Sequence, residues 1–173
     1  PVTTGWQEID GLCGGGLGKS ELGVVIAPTG AGKSMVLVHL GAQGVLEGKT
    51  VVHYTLELQD TVIAKRYDSC ITGFPLSELG SFKEEIYDKI KDIDGKLIVK
   101  EYPTKSASTN TIKNHLNKLA KRGIEPSLII VDYADLLKPV VVRKEKRNEL
   151  ESIYEELRAV STEYGCPIWT ASQ

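Results

Sequence analysis

Five short apolar stretches alternate along this chain with segments that carry apolar residues at helical spacing. The apolar stretches cover residues 22–27, 50–56, 96–102, 127–132 and 167–172. Most of them lack a strict alternation of apolar and polar residues, which is typical of strands that are buried on both faces of a parallel sheet. We therefore predict five strands, most of them in the interior of such a sheet.

Three of the intervening segments predict helices at residues 34–46, 60–71 and 148–164, each followed within two residues by a glycine stop signal. Ser81 and Glu84 have the spacing of a capping box, which predicts a further helix that runs to about residue 93.

Either Ser108 or Thr109 could cap one more helix, which is expected to end near Lys121, Arg122 and Gly123. Because helices alternate with strands, we predict an α/β fold in which a mostly parallel central sheet is flanked by helices. Residues 1–173 show no linker and no internal repeat, so we expect one domain.

The composition narrows the classes of partner. Lys and Arg number 21 and Asp and Glu number 23, so the net charge is −2 and a surface that is basic throughout is excluded. Contact with nucleic acid would have to come from a local patch. No apolar run approaches the roughly 20 residues of a membrane span, so we expect no membrane partner. The three cysteines, Cys13, Cys70 and Cys166, are too widely spaced to indicate a zinc site or a disulfide framework.

Residues 27–34, with the sequence APTGAGKS, stand between the first predicted strand and the first predicted helix. They match the phosphate-binding P-loop at Gly32, Lys33 and Ser34, although Ala27 replaces the leading glycine. Glycines allow successive N–H groups to point at an anion, and the helix dipole adds to the attraction. Lys33 would reach the β- and γ-phosphates of ATP, and the Ser34 hydroxyl would ligate Mg²⁺. The predicted nucleotide-binding residues are Thr29, Gly30, Ala31, Gly32, Lys33 and Ser34.

Polar residues follow three other predicted strands. Asp132 ends the fourth strand, where an acid faces the ligand crevice of a parallel sheet, and we predict that it holds Mg²⁺ through a water. Asp135 competes for that role. Glu57 follows the second strand and could activate the attacking water, or it could be a solvated loop residue. Gln173 follows the fifth strand and could sense the γ-phosphate, or it could be an ordinary surface residue.

The order of these motifs resembles that of the DnaB-like replicative helicases, whose ATPase core is of the RecA type. Residues 4–22 are similar to the segment that precedes the P-loop in the RecA, DnaB and KaiC group. Residues 55–58 (TLEL) resemble the SLEM segment of the helicases, and residues 131–137 (VDYADLL) resemble their IDYLQLM segment. Residues 172–173 resemble the end of their LSQ strand, so the resemblance covers nearly the whole chain, and it is closer to phage-type helicases than to recombinases.

The resemblance implies a RecA-like P-loop NTPase fold and a role for each matching residue. Glu57 would be the catalytic base, and Gln173 would be a sensor that couples the nucleotide state to a DNA-binding loop. Arg66 stands where the family commonly has an arginine on the next helix. The implied catalytic residues are Lys33, Glu57 and Gln173, and the implied metal ligands are Ser34 and Asp132.

The family's arginine finger and second DNA loop lie beyond the LSQ strand. The resemblance therefore predicts that residues 1–173 form most of the ATPase core but lack its C-terminal portion. The chain also begins with Pro1 and not with Met, which is expected of a piece of a longer protein.

Residues 138–147 contain five basic residues and one acidic residue, which gives a local net charge of +4. In the family this segment faces the channel of a ring and follows single-stranded DNA. The DNA-binding residues that the resemblance implies are Arg143, Lys144, Lys146 and Arg147. A solvated basic turn is the alternative, and the segment lacks aromatic residues, which favours contact with the phosphate backbone over base recognition.

The leading hypothesis is a motor domain that hydrolyses ATP to move on single-stranded DNA and unwind duplex DNA. The resemblance implies a hexameric ring, a primase and a helicase loader as partners, and the cytoplasm of a bacterium or phage-infected host as the location. A RecA/RadA-like recombinase or a KaiC-like ATPase is the second hypothesis, against which residues 55–58 and Tyr133 argue. A non-catalytic nucleotide-binding or loader-interaction module is the third, against which Glu57 argues.

Overall fold

The computed structural model describes residues 1–173, which form five strands and six α-helices. The strands are β1 (Leu22–Ile26), β2 (Thr50–Thr55), β3 (Lys96–Glu101), β4 (Leu128–Asp132) and β5 (Ile168–Ser172). The helices are α1 (Gln7–Leu12), α2 (Lys33–Leu46), α3 (Asp60–Thr72), α4 (Lys83–Ile90), α5 (Thr109–Lys121) and α6 (Lys146–Tyr164). Two short 3₁₀ segments span Leu76–Ser81 and Ala134–Leu136.

All five strands are parallel and lie in the order β1-β5-β4-β2-β3. The predicted α/β fold with a central parallel sheet is therefore confirmed. Consecutive strands in the chain are connected through helices, as parallel neighbours require. This order places the carboxyl ends of β1, β5, β4 and β2 side by side along one edge of the sheet.

Helices cover both faces of the sheet. On one face, α5 and α6 pack against β2 and β4, and Ile112 and Leu157 are fully buried there. On the other face, α2 and α3 cover the sheet, and Leu37 and Ile63 are fully buried. All five residues of β4 are buried, as are five of the six residues of β2. Burial on two faces explains why these strands show no alternation of apolar and polar residues.

The predicted strand boundaries each extend one residue beyond the observed strand. The expected capping box at Ser81 and Glu84 is wrong, because Ser81 ends a 3₁₀ segment and α4 begins only at Lys83. Phe82 precedes α4 and stacks on Phe74 with 4.7 Å between the ring centroids, so apolar packing sets the start of this helix. At the start of α5, Ser108 forms a capping box with Thr111.

The hydrophobic pattern does not predict helix α1, because this helix has only six residues and none of them is buried. Its position depends on the Asp10 carboxylate, which accepts hydrogen bonds from the Thr4 backbone N–H at 2.8 Å and the Thr4 hydroxyl at 2.7 Å. No helix of the structure combines the length and the apolar character needed to cross a bilayer.

Gly41 of α2 packs against Tyr67 of α3. A Cβ atom added there would lie 1.9 Å from the Tyr67 hydroxyl oxygen, which is itself 2.7 Å from His53 Nδ1. Because that buried hydrogen bond holds the phenol in place, we expect Gly41→Ala to lower the free energy of unfolding by about 1–3 kcal/mol. Urea denaturation measures this change.

Gly11→Ala is the matched control, since a Cβ at Gly11 would meet no atom within 4 Å. If Gly41→Ala and Gly11→Ala unfolded at the same urea concentration, the close packing of α2 against α3 would be refuted.

Candidate active site

Four neighbouring strand ends bring the predicted nucleotide-binding and catalytic residues together. The phosphate loop follows β1, Gln173 follows β5, Asp132 ends β4, and Glu57 lies two residues beyond β2. A cavity of about 300 Å³ lies at this edge of the sheet. Its lining consists of Thr29, Gly30, Gly32, Lys33, Ser34, Met35, Glu57, Leu58, Arg66, Tyr133 and Gln173.

The backbone of the phosphate loop depends on two glycines. Gly30 has φ of 80° and Gly32 has φ of 93°, and both angles lie in the left-handed region that side chains disfavour. A Cβ at either position would meet no atom within 4 Å, so the need for glycine is conformational and not steric. Gly32 precedes the first turn of α2, whose N–H groups have no partner within the helix. The loop therefore forms a cradle suited to an anion.

The Lys33 ammonium lies beside this cradle. Lys33 Nζ donates hydrogen bonds to the backbone oxygens of Ala27 at 3.1 Å and Pro28 at 3.3 Å. It also lies 5.4 Å from the centroid of the Tyr133 ring. Only 8% of the residue is exposed, so the charge is held at the loop in a partly desolvated position. A phosphate oxygen would offer this cation a stronger partner than two neutral carbonyls.

Asp132 is a buried acid without protein partners. The residue is 1% exposed, and neither carboxylate oxygen forms a hydrogen bond with a protein donor. Burial raises the pKa of Asp132 and the nearby charge of Glu57 raises it further, whereas the Ser34 hydroxyl, Arg66 and Lys33 act in the opposite direction. A buried carboxylate of this kind is stabilised by a cation, and oxygen ligands suit Mg²⁺. Asp132 and the Ser34 hydroxyl thus fit a magnesium site.

Asp135 is engaged elsewhere. Its carboxylate accepts hydrogen bonds from the Tyr154 hydroxyl at 3.0 Å, the Ser172 hydroxyl at 3.1 Å and the Gln173 backbone N–H at 3.4 Å. These bonds connect the segment after β4 to β5 and α6. Because the Asp135 carboxylate already has these donors, whereas the Asp132 carboxylate forms no hydrogen bond, the geometry favours Asp132 over Asp135 as the metal-holding acid.

Glu57 and Gln173 enter the cavity from two different strand ends. The Thr55 hydroxyl donates a 2.9 Å hydrogen bond to the Leu58 backbone oxygen, which closes the turn that carries the exposed Glu57. Gln173 Nε2 donates a 2.7 Å hydrogen bond to the Thr29 hydroxyl, so the end of β5 contacts the phosphate loop directly. Both side chains could reach groups bound in the cradle.

The structure does not bring the predicted DNA-binding residues to this cavity. Arg143, Lys144, Lys146 and Arg147 are exposed, and none of them lines it. Lys146 and Arg147 open α6, which begins two residues earlier than predicted. Arg143 Nε donates a 3.2 Å hydrogen bond to the Ser152 hydroxyl, which ties the segment to α6. The basic segment is thus a separate, solvent-facing feature.

Four lining residues have no site role in the sequence-based prediction, namely Met35, Leu58, Arg66 and Tyr133, and two of them carry polar groups. Arg66 lies on α3, nine residues after Glu57, and its charge lowers the pKa of Asp132, after the larger effects of burial, Ser34 and Glu57. Tyr133 places its ring near the Lys33 ammonium. Tyr133 could have been found from its position next to Asp132. Arg66 belongs to no local motif that carries nucleotide chemistry, and the resemblance was its only signal.

Known proteins resemble this chain in sequence. A family model described as the DnaB-like helicase C terminal domain matches residues 1–173. The DnaB-like replicative helicase of enterobacteria phage T4 is 33% identical over 171 residues, which cover 92% of this chain and 36% of that protein. A probable plasmid replicative DNA helicase of Chlamydia psittaci is 26% identical over 164 residues, which cover 91% of this chain and 35% of that protein. The chain spans about a third of the length of these curated relatives.

Known structures share the fold. A solved DnaB-like replicative helicase, described with its interactions with primase, has a TM-score of 0.80 at 15% identity and covers 99% of this chain and 43% of that one. A solved ATPase domain has a TM-score of 0.82 at 16% identity, with 99% of this chain and 63% of that one covered. At such low identity these likenesses establish the RecA-like fold, which agrees with the fold expected from the sequence.

Proposed function

The chain belongs to the DnaB-like helicase C terminal domain family, and on that basis we propose that it is the ATP-hydrolysing motor domain of a replicative DNA helicase. The observation that carries the proposal is the meeting of the phosphate loop, Glu57, Arg66 and Gln173 in one cavity beside the buried Asp132. A cradle for phosphates, an acid for a metal ion and a carboxylate for a water are the parts that phosphoryl transfer requires.

In this proposal the phosphate loop binds the nucleotide. Backbone N–H groups of residues 29–34 donate hydrogen bonds to the β- and γ-phosphate oxygens. The Lys33 ammonium leaves its two carbonyl partners and binds the same phosphate oxygens. Ser34 and Asp132 would hold Mg²⁺, which neutralises charge on the β- and γ-phosphates when it is bound. Arg66 adds a second positive charge to the same lining.

Glu57 acts as the general base. Its carboxylate orients a water and accepts a proton from it while the water oxygen attacks the γ-phosphorus. The bond from that phosphorus to the bridging oxygen breaks, and ADP leaves. Gln173 contacts Thr29 of the phosphate loop, so a change at the γ-phosphate can reach β5 through one hydrogen bond. We therefore infer that Gln173 reports the nucleotide state.

The proposal extends to the macromolecular partners. The exposed basic residues of 138–147 would contact the phosphates of single-stranded DNA without reading its sequence. A ring of six chains, a primase and a helicase loader would be partners of the whole protein, in the cytoplasm of a bacterium or phage-infected host. Residues 1–173 would then form most of a core whose C-terminal portion lies outside this sequence. The solved DnaB-like helicase with its primase interactions supports the choice of primase.

The alternative of a RecA/RadA-like recombinase or a KaiC-like ATPase is not favoured, because the matching family model and the curated relatives are DnaB-like helicases. A non-catalytic nucleotide-binding module is likewise disfavoured, because Glu57 lines the cavity where a base is required.

Unwinding of forked DNA tests the proposal. The polypeptide that carries residues 1–173, assembled with Mg²⁺ and ATP, is expected to separate the strands of a fluorescently labelled fork. A non-hydrolysable ATP analogue serves as the control and should support no unwinding. Strand exchange without unwinding would reject the helicase assignment in favour of a recombinase.

A further inference from the structure

A second cavity lies between the edge strand β3 and helix α5, and its volume is about 480 Å³. It shares no residue with the cavity at the phosphate loop, which we call the nucleotide cavity after its proposed ligand. Its polar lining consists of Lys100, Thr111, Asn114, His115, Lys118 and Arg122. No carboxylate is part of the lining.

The three cations of this cavity lack a neutralising partner. Lys100, Lys118 and Arg122 are exposed, and none of them forms an ion pair; the structure's only ion pairs involve Lys49, Lys91 and Lys113. The adjacent acid on β3, Glu101, is directed to α3, where its carboxylate lies 3.5 Å from the Asp60 backbone nitrogen. The three positive charges therefore have no acidic partner, and Lys100 Nζ lies 5.6 Å from the centroid of the Tyr102 ring.

The three cations all lie near the side chain of His115. Its Nδ1 lies 2.7 Å from the Tyr54 hydroxyl oxygen. Burial lowers the pKa of His115, and Lys100, Lys118 and Arg122 lower it further, so all three cations lie near the same ring. When Nδ1 accepts a hydrogen bond from the Tyr54 hydroxyl, the neutral ring carries its proton on Nε2, which remains a hydrogen-bond donor.

We propose that this cavity binds the phosphates of a single-stranded nucleic acid. An anion would relieve the mutual repulsion of the three cations, and Thr111, Asn114 and His115 supply further hydrogen-bond donors. Tyr102 and the buried Leu119 complete the lining, and the half-buried Tyr102 ring offers an edge against which a base can pack.

A strand fits this cavity better than a single phosphate because the charges are spread out. Lys118 lies in the last turn of α5, Arg122 directly follows that helix, and Lys100 lies across the cavity on β3. The basic segment 138–147 has no aromatic residue, whereas this cavity has Tyr102. The choice of nucleic acid over other phosphate compounds rests on the proposed function, and the shared chemistry is the phosphate group.

The double substitution K118A/R122A tests the proposal. Binding of a fluorescently labelled oligothymidylate to the 173-residue chain is measured by anisotropy over a range of salt concentrations. Losing two phosphate contacts should lower the slope of log affinity against log salt by about 1.4, and weaken binding about tenfold at low salt. The control K83A/K91A removes two exposed charges outside both cavities and should leave the slope almost unchanged. Equal slopes for the two variants, or no binding by the unaltered chain, would overturn the proposal.

Amide chemical shifts locate the site and identify the source of the phosphate. Oligothymidylate should shift the amide signals of residues 111–122, and inorganic tripolyphosphate at matched phosphate concentration should shift them less. A response to tripolyphosphate alone would identify a site for free phosphate compounds and overturn the nucleic-acid assignment. Shifts confined to residues 138–147 would place the strand elsewhere and also overturn it.

The proposed function can fail independently of this cavity. K118A/R122A should retain the ATP affinity of the unaltered chain, because the two cavities share no residue. If ATP binding were absent while the oligothymidylate still shifted α5, the motor assignment would fail and the second site would stand.

Discussion

Replacing Lys33 with alanine is expected to weaken ATP binding so strongly that little or no binding is detected. A phosphate held by a largely buried ammonium loses about 2–5 kcal/mol when that partner is truncated, which corresponds to roughly 30- to 5,000-fold in affinity. Lys33 is 8% exposed, and its Nζ is held at the loop by hydrogen bonds to the backbone oxygens of Ala27 and Pro28. The ammonium therefore needs no large movement to bind the phosphates. Isothermal titration calorimetry with Mg²⁺ and ATP measures the change.

Lys65→Ala is the control for Lys33→Ala. Lys65 is an exposed cation on α3 that does not line the cavity, so its removal should leave the ATP affinity within about twofold of the unaltered value. Circular dichroism and urea denaturation establish that both variants are folded. Tight ATP binding by the folded Lys33→Ala variant would refute the assignment of the phosphate loop.

Glu57→Gln is expected to slow ATP hydrolysis by about 10²- to 10⁴-fold, because the amide cannot accept the proton of the attacking water. ATP affinity should change little. Glu57 raises the pKa of Asp132, so removing its negative charge favours the ionised form of the acid that would hold Mg²⁺. Phosphate release by the assembled polypeptide measures hydrolysis, and calorimetry measures binding.

The separation of these two effects distinguishes a catalytic role for Glu57 from a structural one. Glu85→Gln, at an exposed position on α4, removes an equal charge away from the cavity and should leave hydrolysis unchanged. Unchanged hydrolysis in Glu57→Gln would show that another group activates the water. A parallel loss of ATP binding and hydrolysis would instead assign Glu57 to nucleotide binding.

Local patterns predicted the parts of this protein that depend on neighbouring residues. The buried strands β2 and β4 are recognisable as apolar runs, and the phosphate loop is recognisable because its two glycines, its lysine and its serine fall within residues 30–34. Ser81 shows the limit of such patterns. Its spacing to Glu84 satisfied a helix cap, but the stacking of Phe82 on Phe74 determined where α4 begins.

The candidate site is only partly predictable from the sequence, because it too depends on contacts between distant residues. The sequence favoured Asp132 but left Asp135 as a competitor, and the hydrogen bonds of Asp135 to Tyr154, Ser172 and Gln173 separate the two acids. Those bonds join residues that are 19 to 38 positions apart in the chain. No pattern of neighbouring residues predicts them.

The sequence by itself determined the α/β class, the position of the proposed phosphate loop and the resemblance to the DnaB-like helicases, because each is carried by short segments in a fixed order. Only the tertiary structure decided which strand ends are neighbours. The order β1-β5-β4-β2 places Gln173 against Thr29, and Glu57 and Arg66 line the same cavity as the phosphate loop. The same folding brings Lys100 of β3 to the same cavity as Lys118 of α5 and Arg122, which directly follows α5. Burial of apolar residues on both faces of the sheet drives this arrangement, and the polar residues at its edges are positioned as a consequence.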